Sequence, residues 1–131
     1  MSGNESNWRS WVKKADSDLL NIRNNMAAPA VPWDTVCFHA QQAAEKMLKA
    51  FLAFRGRQPP HTHDLLMLLG ECMEFAPSLS DLSDDCALLT PYAIEARYPG
   101  LHEATEEEGQ LVVAVAEHLC AAVQRLLPPE P

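Results

Sequence analysis

The chain has 131 residues, with 18 acidic against 10 basic side chains and a formal net charge of −8. That length fits one domain and suffices for a core without disulfide or metal staples. The acidic balance excludes a protein that holds polyanions through its overall charge, so any phosphate contact must be local. Cys37, Cys72, Cys86 and Cys120 stand 35, 14 and 34 residues apart among apolar neighbours, with no C-x-x-C pair. They read as small core residues in a reducing compartment. The start, MSGNESNWRSW, lacks a basic segment followed by an apolar one, and no apolar run nears the roughly 18 residues of a membrane span. The expectation is a cytoplasmic, soluble protein with no membrane contact.

From Asn7 to Met26 the apolar residues Trp8, Trp11, Val12, Ala15, Leu19, Ile22 and Met26 recur at spacings of three and four, which predicts a first helix with one buried stripe. The two prolines of AAPAVP, residues 27–32, end it. A second helix is predicted from Asp34 or Thr35 to about Arg55. At 100° per residue its Ala40, Ala44, Met47, Leu48 and Phe51 share one side. His39, Gln42, Lys46 and Lys49 fall in an arc opposite, which is predicted to be open to a partner. Gln41 and Glu45 lie nearer the apolar edge, where partial burial would require hydrogen bonds to a neighbouring helix.

Gly56 stands where a left-handed cap is wanted, and Pro59-Pro60 stop any continuation. Thr62 or His63 then precedes a short helix, apolar almost all round, that should end near Phe75. Residues 77–83 read as loop or a short helical turn. Ser83 is the predicted cap of a helix over Asp84–Ala96, kinked or split by Pro91. Tyr98-Pro99-Gly100 break the chain, and Thr105 with Glu108 forms a capping-box pattern that opens a last helix to about Leu127. Its predicted stripe is Leu111, Val112, Val115, Leu119, Ala122, Val123 and Leu126. With no period-two run, the expected class is all-α: an up-and-down four-helix bundle with an additional short helix. One domain is expected over residues 1–131, with an ordered core of about 7–127 and a tail over 128–131.

Four segments in this order carry a resemblance: Trp8 with Ala15-Asp16-Ser17-Asp18-Leu19, then Phe38-His39-Ala40-Gln41-Gln42-Ala43-Ala44-Glu45-Lys46, then Thr62-His63-Asp64-Leu65, then Ala96-Arg97-Tyr98-Pro99. Together they resemble the HEPN domain, the small helical "higher eukaryotes and prokaryotes nucleotide-binding" family, over most of the chain. The resemblance implies a homodimer. It also implies a frequent companion, a minimal nucleotidyltransferase, with which such domains form a toxin–antitoxin pair or a two-part transferase.

Three readings of the polar residues follow. In the first, His39, Gln42, Lys46 and Lys49, with Arg97, line a nucleotide or RNA cleft and donate hydrogen bonds and charge to phosphate. In the second, Arg97 and His102, an R-x4-H arrangement at a helix break, cleave RNA without metal. Histidine moves protons near neutral pH, and arginine is a permanent cation for the charge growing on phosphorus. Ribonucleases similar to HEPN domains carry that spacing at the head of the last helix. In the third, the chain is a structural dimer: the polar arc is a solvated face with Glu45 and Lys49 as an i,i+4 pair, and Arg97 pairs with a carboxylate.

No cofactor or metal is expected. His61-Thr62-His63-Asp64 brings two imidazoles and a carboxylate together, but without further ligands at zinc spacing it reads as cap and packing. His118 reads as a helix-surface residue without a partner. Of the aromatic residues Trp8, Trp11, Trp33, Phe38, Phe51 and Phe54, most belong in the core, with flanking ones available to a dimer interface. The acidic balance favours the first reading: a nucleotide- or RNA-binding partner module.

Overall fold

Helix α2, Trp33–Phe54, is the axis on which the rest of the chain is assembled. The computed structural model describes residues 3–94 and 103–129, and among these there is no strand. Helix α1 spans Gly3–Met26, α3 Leu65–Met73, α4 Ser83–Leu89 and α5 Glu106–Gln124, with 3-10 turns at Pro77–Leu82 and Thr90–Ala93. The all-α bundle expected from the periodicity is the observed fold. Helices α1, α3, α4 and α5 and the turn at Thr90–Ala93 all contact α2.

That crowding is possible because α2 is lined with alanine. Ala40, Ala43, Ala44, Ala50 and Ala53 are buried and let neighbouring backbones come close, while Met47, Leu48, Phe51 and Leu52 fill the space between them. Each fully buried leucine or methionine contributes about 1.5–3 kcal/mol through removal from water. Trp8 meets Phe54 edge-to-face with ring centroids 5.5 Å apart, pinning the start of α1 to the end of α2. Val12, Ala15 and Ile22 continue the α1 contact, as the spacing predicts.

The termini follow local rules. Gly56 has φ 81°; its N–H donates to the carbonyl of Ala53, and that of Arg57 donates to Leu52. These two bonds form the Schellman stop that glycine permits. Asp64 caps α3, accepting from the amides of Leu66 and Met67, so the cap lies one or two residues beyond the predicted Thr62 or His63. Thr105 accepts from the Glu108 amide as expected, but the Glu108 carboxylate takes the Tyr92 hydroxyl, tying the Thr90–Ala93 turn to α5. The predicted helix over Asp84–Ala96 is shorter: α4 ends at Leu89 and the chain tightens to 3-10 at Thr90. Pro91, at the start of that turn, has no N–H to continue the α-helical ladder.

Two stripes differ from prediction. On α3, Leu66 and Met67 are about half exposed while Leu65, Leu68, Leu69 and Cys72 are buried. On α5, Leu111 is 55% exposed, and Leu126, just past its end, 40%, whereas Val113, Ala116 and Cys120 are buried beside Val112, Leu119 and Val123. The contact face of α5 is set by Gly109. A Cβ there would lie 2.1 Å from Cε3 of Trp33, so the indole of α2 rests on bare α5 backbone. The buried series then runs on from 109 at helical spacing rather than through the bulkiest side chains.

All four cysteines are free and buried. Burial pushes the thiols of Cys72, Cys86 and Cys120 up to about 12. These thiols should react with Ellman's reagent at pH 8 only as the protein unfolds, because the thiolate is the nucleophile. A folded value above the unfolded one means the contribution is complete below the ordinary thiol range. Stability should therefore fall as pH rises from about 9 towards 12. Rapid labelling of all four thiols in the native state would contradict this burial. Among the described residues no helix is long and apolar enough to cross a membrane.

Candidate functional site

The polar arc of α2 meets two other segments, and two ionic clusters result. The first is centred on Asp18 of α1. Its position between Ala15 and Ile22 puts it on the buried stripe, so its carboxylate points at α2 and not at solvent. Oδ1 of Asp18 lies 2.7 Å from Nδ1 of His39 and Oδ2 lies 2.6 Å from Nζ of Lys46. The side chain of Asp18 is 8% exposed, against 20% for His39 and 22% for Lys46. One buried carboxylate thus gathers two donors from α2, and each keeps part of its surface open.

The second cluster is centred on Glu45. Its Oε2 accepts from Nζ of Lys49 at 3.0 Å. Its Oε1 lies 2.7 Å from Nδ1 of His63 and accepts from Nε2 of Gln41 at 3.4 Å. Gln41, fully buried, also donates to the carbonyl of His63 at 3.1 Å and accepts from Nε2 of Gln42 at 2.7 Å. The ammonium of Lys49 lies 5.4 Å from the ring centroid of Trp11, within cation–π range. The carboxylate and amide at its centre bond within the protein, so its work is to fasten the start of α3 and the side of α1 to α2.

Of the residues placed on the arc by periodicity, the structure brings His39 and Lys46 together. It turns Gln42 towards Gln41 and buries Lys49 at 6% exposure. Lys49 is not on the open face because Trp11 of α1 covers it. The Glu45–Lys49 pair is accordingly a buried one, not the solvated i,i+4 pair of the third reading. Arg97 and His102, and with them the R-x4-H arrangement, lie outside the described residues. His118 has a partner after all: its Nδ1 is 2.6 Å from Oδ2 of Asp85 on α4.

Asp18 is the site residue that sequence reasoning passed over. Its signal was available as a lone carboxylate in register with an apolar stripe, where an unpaired charge would be costly and a cation on the facing helix is required. Near the arc's start, Oδ1 of Asp34 accepts from the Ala104 amide at 2.8 Å, anchoring the approach to α5. Beside it, a cleft of about 290 Å³ is lined by Val31 to Thr35 with Glu103 and Ala104. The acids Glu106, Glu107 and Glu108 occupy the first turn of α5, where they complement the helix dipole. They make that end of the molecule unfavourable to anions, in contrast to the Asp18 cluster.

No curated protein matches the chain in sequence. The crystal structure of TT1696 from Thermus thermophilus superposes on it with a TM-score of 0.76 at 30% identity, covering 92% of this chain and 98% of that one. The HEPN domain family matches residues 8–126. With that match spanning the described helices from the Trp8 contact to the end of α5, the chain belongs to the HEPN domain family.

Proposed function

We propose that this HEPN-domain chain is a nucleotide- or RNA-binding partner module, and that the ligand's phosphate is held at the Asp18–His39–Lys46 cluster. The observation that carries the reading is the convergence of a lysine and a histidine of α2 on one buried carboxylate. An ammonium held in place gives up less entropy on meeting a phosphate than one free in solvent. Its positive charge is also local, as a chain of net charge −8 requires. Both lysines are paired with a carboxylate, but Lys46 keeps 22% of its side chain exposed against 8% for Lys49, so Lys49 supports the arc and Lys46 offers the donor. Arg97, which lies outside the described residues, is the second cation that the sequence offers to the same phosphate. The reading extends to a cytoplasmic homodimer working with a minimal nucleotidyltransferase in a toxin–antitoxin-like pair; the dimer and its companion rest on family membership, and the compartment on the cysteines.

The test is titration of single-stranded RNA and of ATP into the purified protein in EDTA, with the oligomer mass checked by light scattering against the 14.5 kDa chain. Lys46→Ala should weaken binding by about 10- to 100-fold, the range for a charge-assisted hydrogen bond. Lys13→Ala, an exposed lysine of α1, should leave it unchanged. Equal affinities for wild type and Lys46→Ala would remove the cluster from the site. Cleavage of the RNA in EDTA, lost in Arg97→Ala and His102→Ala, would establish the metal-independent endoribonuclease reading instead.

A further inference from the structure

Asp18 determines more than the position of His39. Its two oxygens each face one nitrogen, Oδ1 the Nδ1 of His39 and Oδ2 the Nζ of Lys46. An ionised carboxylate offers only lone pairs, so the hydrogen of a neutral His39 must reside on Nδ1. Nε2 is left with its lone pair, and His39 makes no other hydrogen bond to the described residues. The open part of the cluster therefore presents two unlike groups on either side of one carboxylate. Lys46 is a cationic donor, and His39 in its neutral form is an acceptor through Nε2.

A phosphodiester answers only half of that pattern, because its oxygens carry no proton at neutral pH and only accept. The matching ligand brings an anionic oxygen for Lys46 and a hydrogen-bond donor close beside it for His39. A ribonucleotide carries both, the phosphate oxygen and the 2′-hydroxyl on the adjoining sugar, and a deoxyribonucleotide lacks that donor. Resting on the nucleotide-binding reading above, we propose that His39, with its tautomer set by Asp18, is the specificity-determining residue of the site. Its Nε2 accepts from the ribose 2′-hydroxyl of the nucleotide whose phosphate Lys46 holds, so the site selects ribose over deoxyribose. Asp18 is a positioning residue, since it acts on the ligand only through His39 and Lys46.

The experiment compares three fluorescein-labelled single strands of one uridine-free sequence in EDTA by anisotropy. They are RNA, DNA, and 2′-fluoro RNA, which keeps the sugar pucker but has no hydroxyl donor. Wild type should bind RNA roughly 2- to 12-fold more tightly than either of the others, the value of one neutral hydrogen bond. In His39→Ala that ratio should collapse to about one. In Lys46→Ala all three affinities should fall together with the ratio kept. Asp18→Asn, whose amide can turn either an oxygen or an N–H towards Nδ1, should reduce the ratio while circular dichroism shows the helices intact. A purely structural Asp18 would lower all affinities and leave the ratio alone, which would overturn its positioning role. Equal binding of RNA and 2′-fluoro RNA by wild type, or an undiminished ratio in His39→Ala, would overturn the proposal while leaving nucleotide binding standing. Failure to bind any of the three strands would overturn both.

Discussion

Glu45→Ala is expected to destabilise the fold by about 3–5 kcal/mol, the cost of removing one partner of a buried ion pair. The carboxylate is 5% exposed and Lys49 is 8% exposed, so truncation strands an ammonium that water reaches poorly. It also takes the Glu45 acceptor from Gln41, which lies fully inside the protein, and frees the His63 side chain that steadies the approach to α3. Glu45→Gln keeps the shape and still leaves the charge of Lys49 unmatched, so it should cost less than the alanine but well above a surface substitution. The double variant Glu45→Leu with Lys49→Met removes both charges at similar volume and should recover most of the loss. Urea unfolding with an unchanged m-value would read these differences directly. A loss under about 1 kcal/mol for Glu45→Ala would place the pair among solvated surface bridges and contradict its burial.

Gly109→Ala should destabilise by about 1–3 kcal/mol, as overpacking does, although alanine is the better helix former by up to about 1 kcal/mol. The new Cβ would stand 2.1 Å from Cε3 of Trp33, with two further ring carbons within 2.9 Å. An indole cannot compress, so either the ring swings out or α5 lifts from α2. In a Trp33→Leu background the same substitution should become neutral or stabilising, because the obstacle is gone. Gly70 on α3 is the control: a Cβ there meets nothing within 4 Å, and Gly70→Ala should stabilise by up to about 1 kcal/mol. Equal behaviour of Gly109→Ala and Gly70→Ala in thermal unfolding would show that the α2–α5 contact is looser than described.

The helices were legible because their signals are local. Spacings of three and four from Trp8 to Met26, Gly56 before Pro59-Pro60, and Thr105 three residues ahead of Glu108 each act within one or two turns, where backbone sterics and hydrogen bonding suffice. The face of α5 was not legible. Leu111 and Leu126 are the stronger hydrophobes, yet Gly109 decides the contact by what it lacks, and only the arrival of Trp33 from 76 positions earlier gives that gap a meaning.

For the candidate site, residue types and the arc of α2 could be read from the sequence: His39 and Lys46 share a face on periodicity alone. Which residues of that face remain open could not be read, because α2 is surrounded by four other helices among the described residues and burial depends on all of them. Glu45 with Lys49 and Asp18 with Lys46 show the division. The first pair is an i,i+4 spacing visible in the chain, but its burial comes from Trp11 and His63 on other segments. The second joins residues 28 positions apart, and no local rule links them. Sequence by itself determined the class of the fold, the positions of most helix ends and the supply of donors, because propensity and period act over a few residues. Tertiary structure alone decided which donors stay open, which charges are buried together and which nitrogen of His39 faces Asp18, because each depends on a carboxylate or ring delivered from another helix.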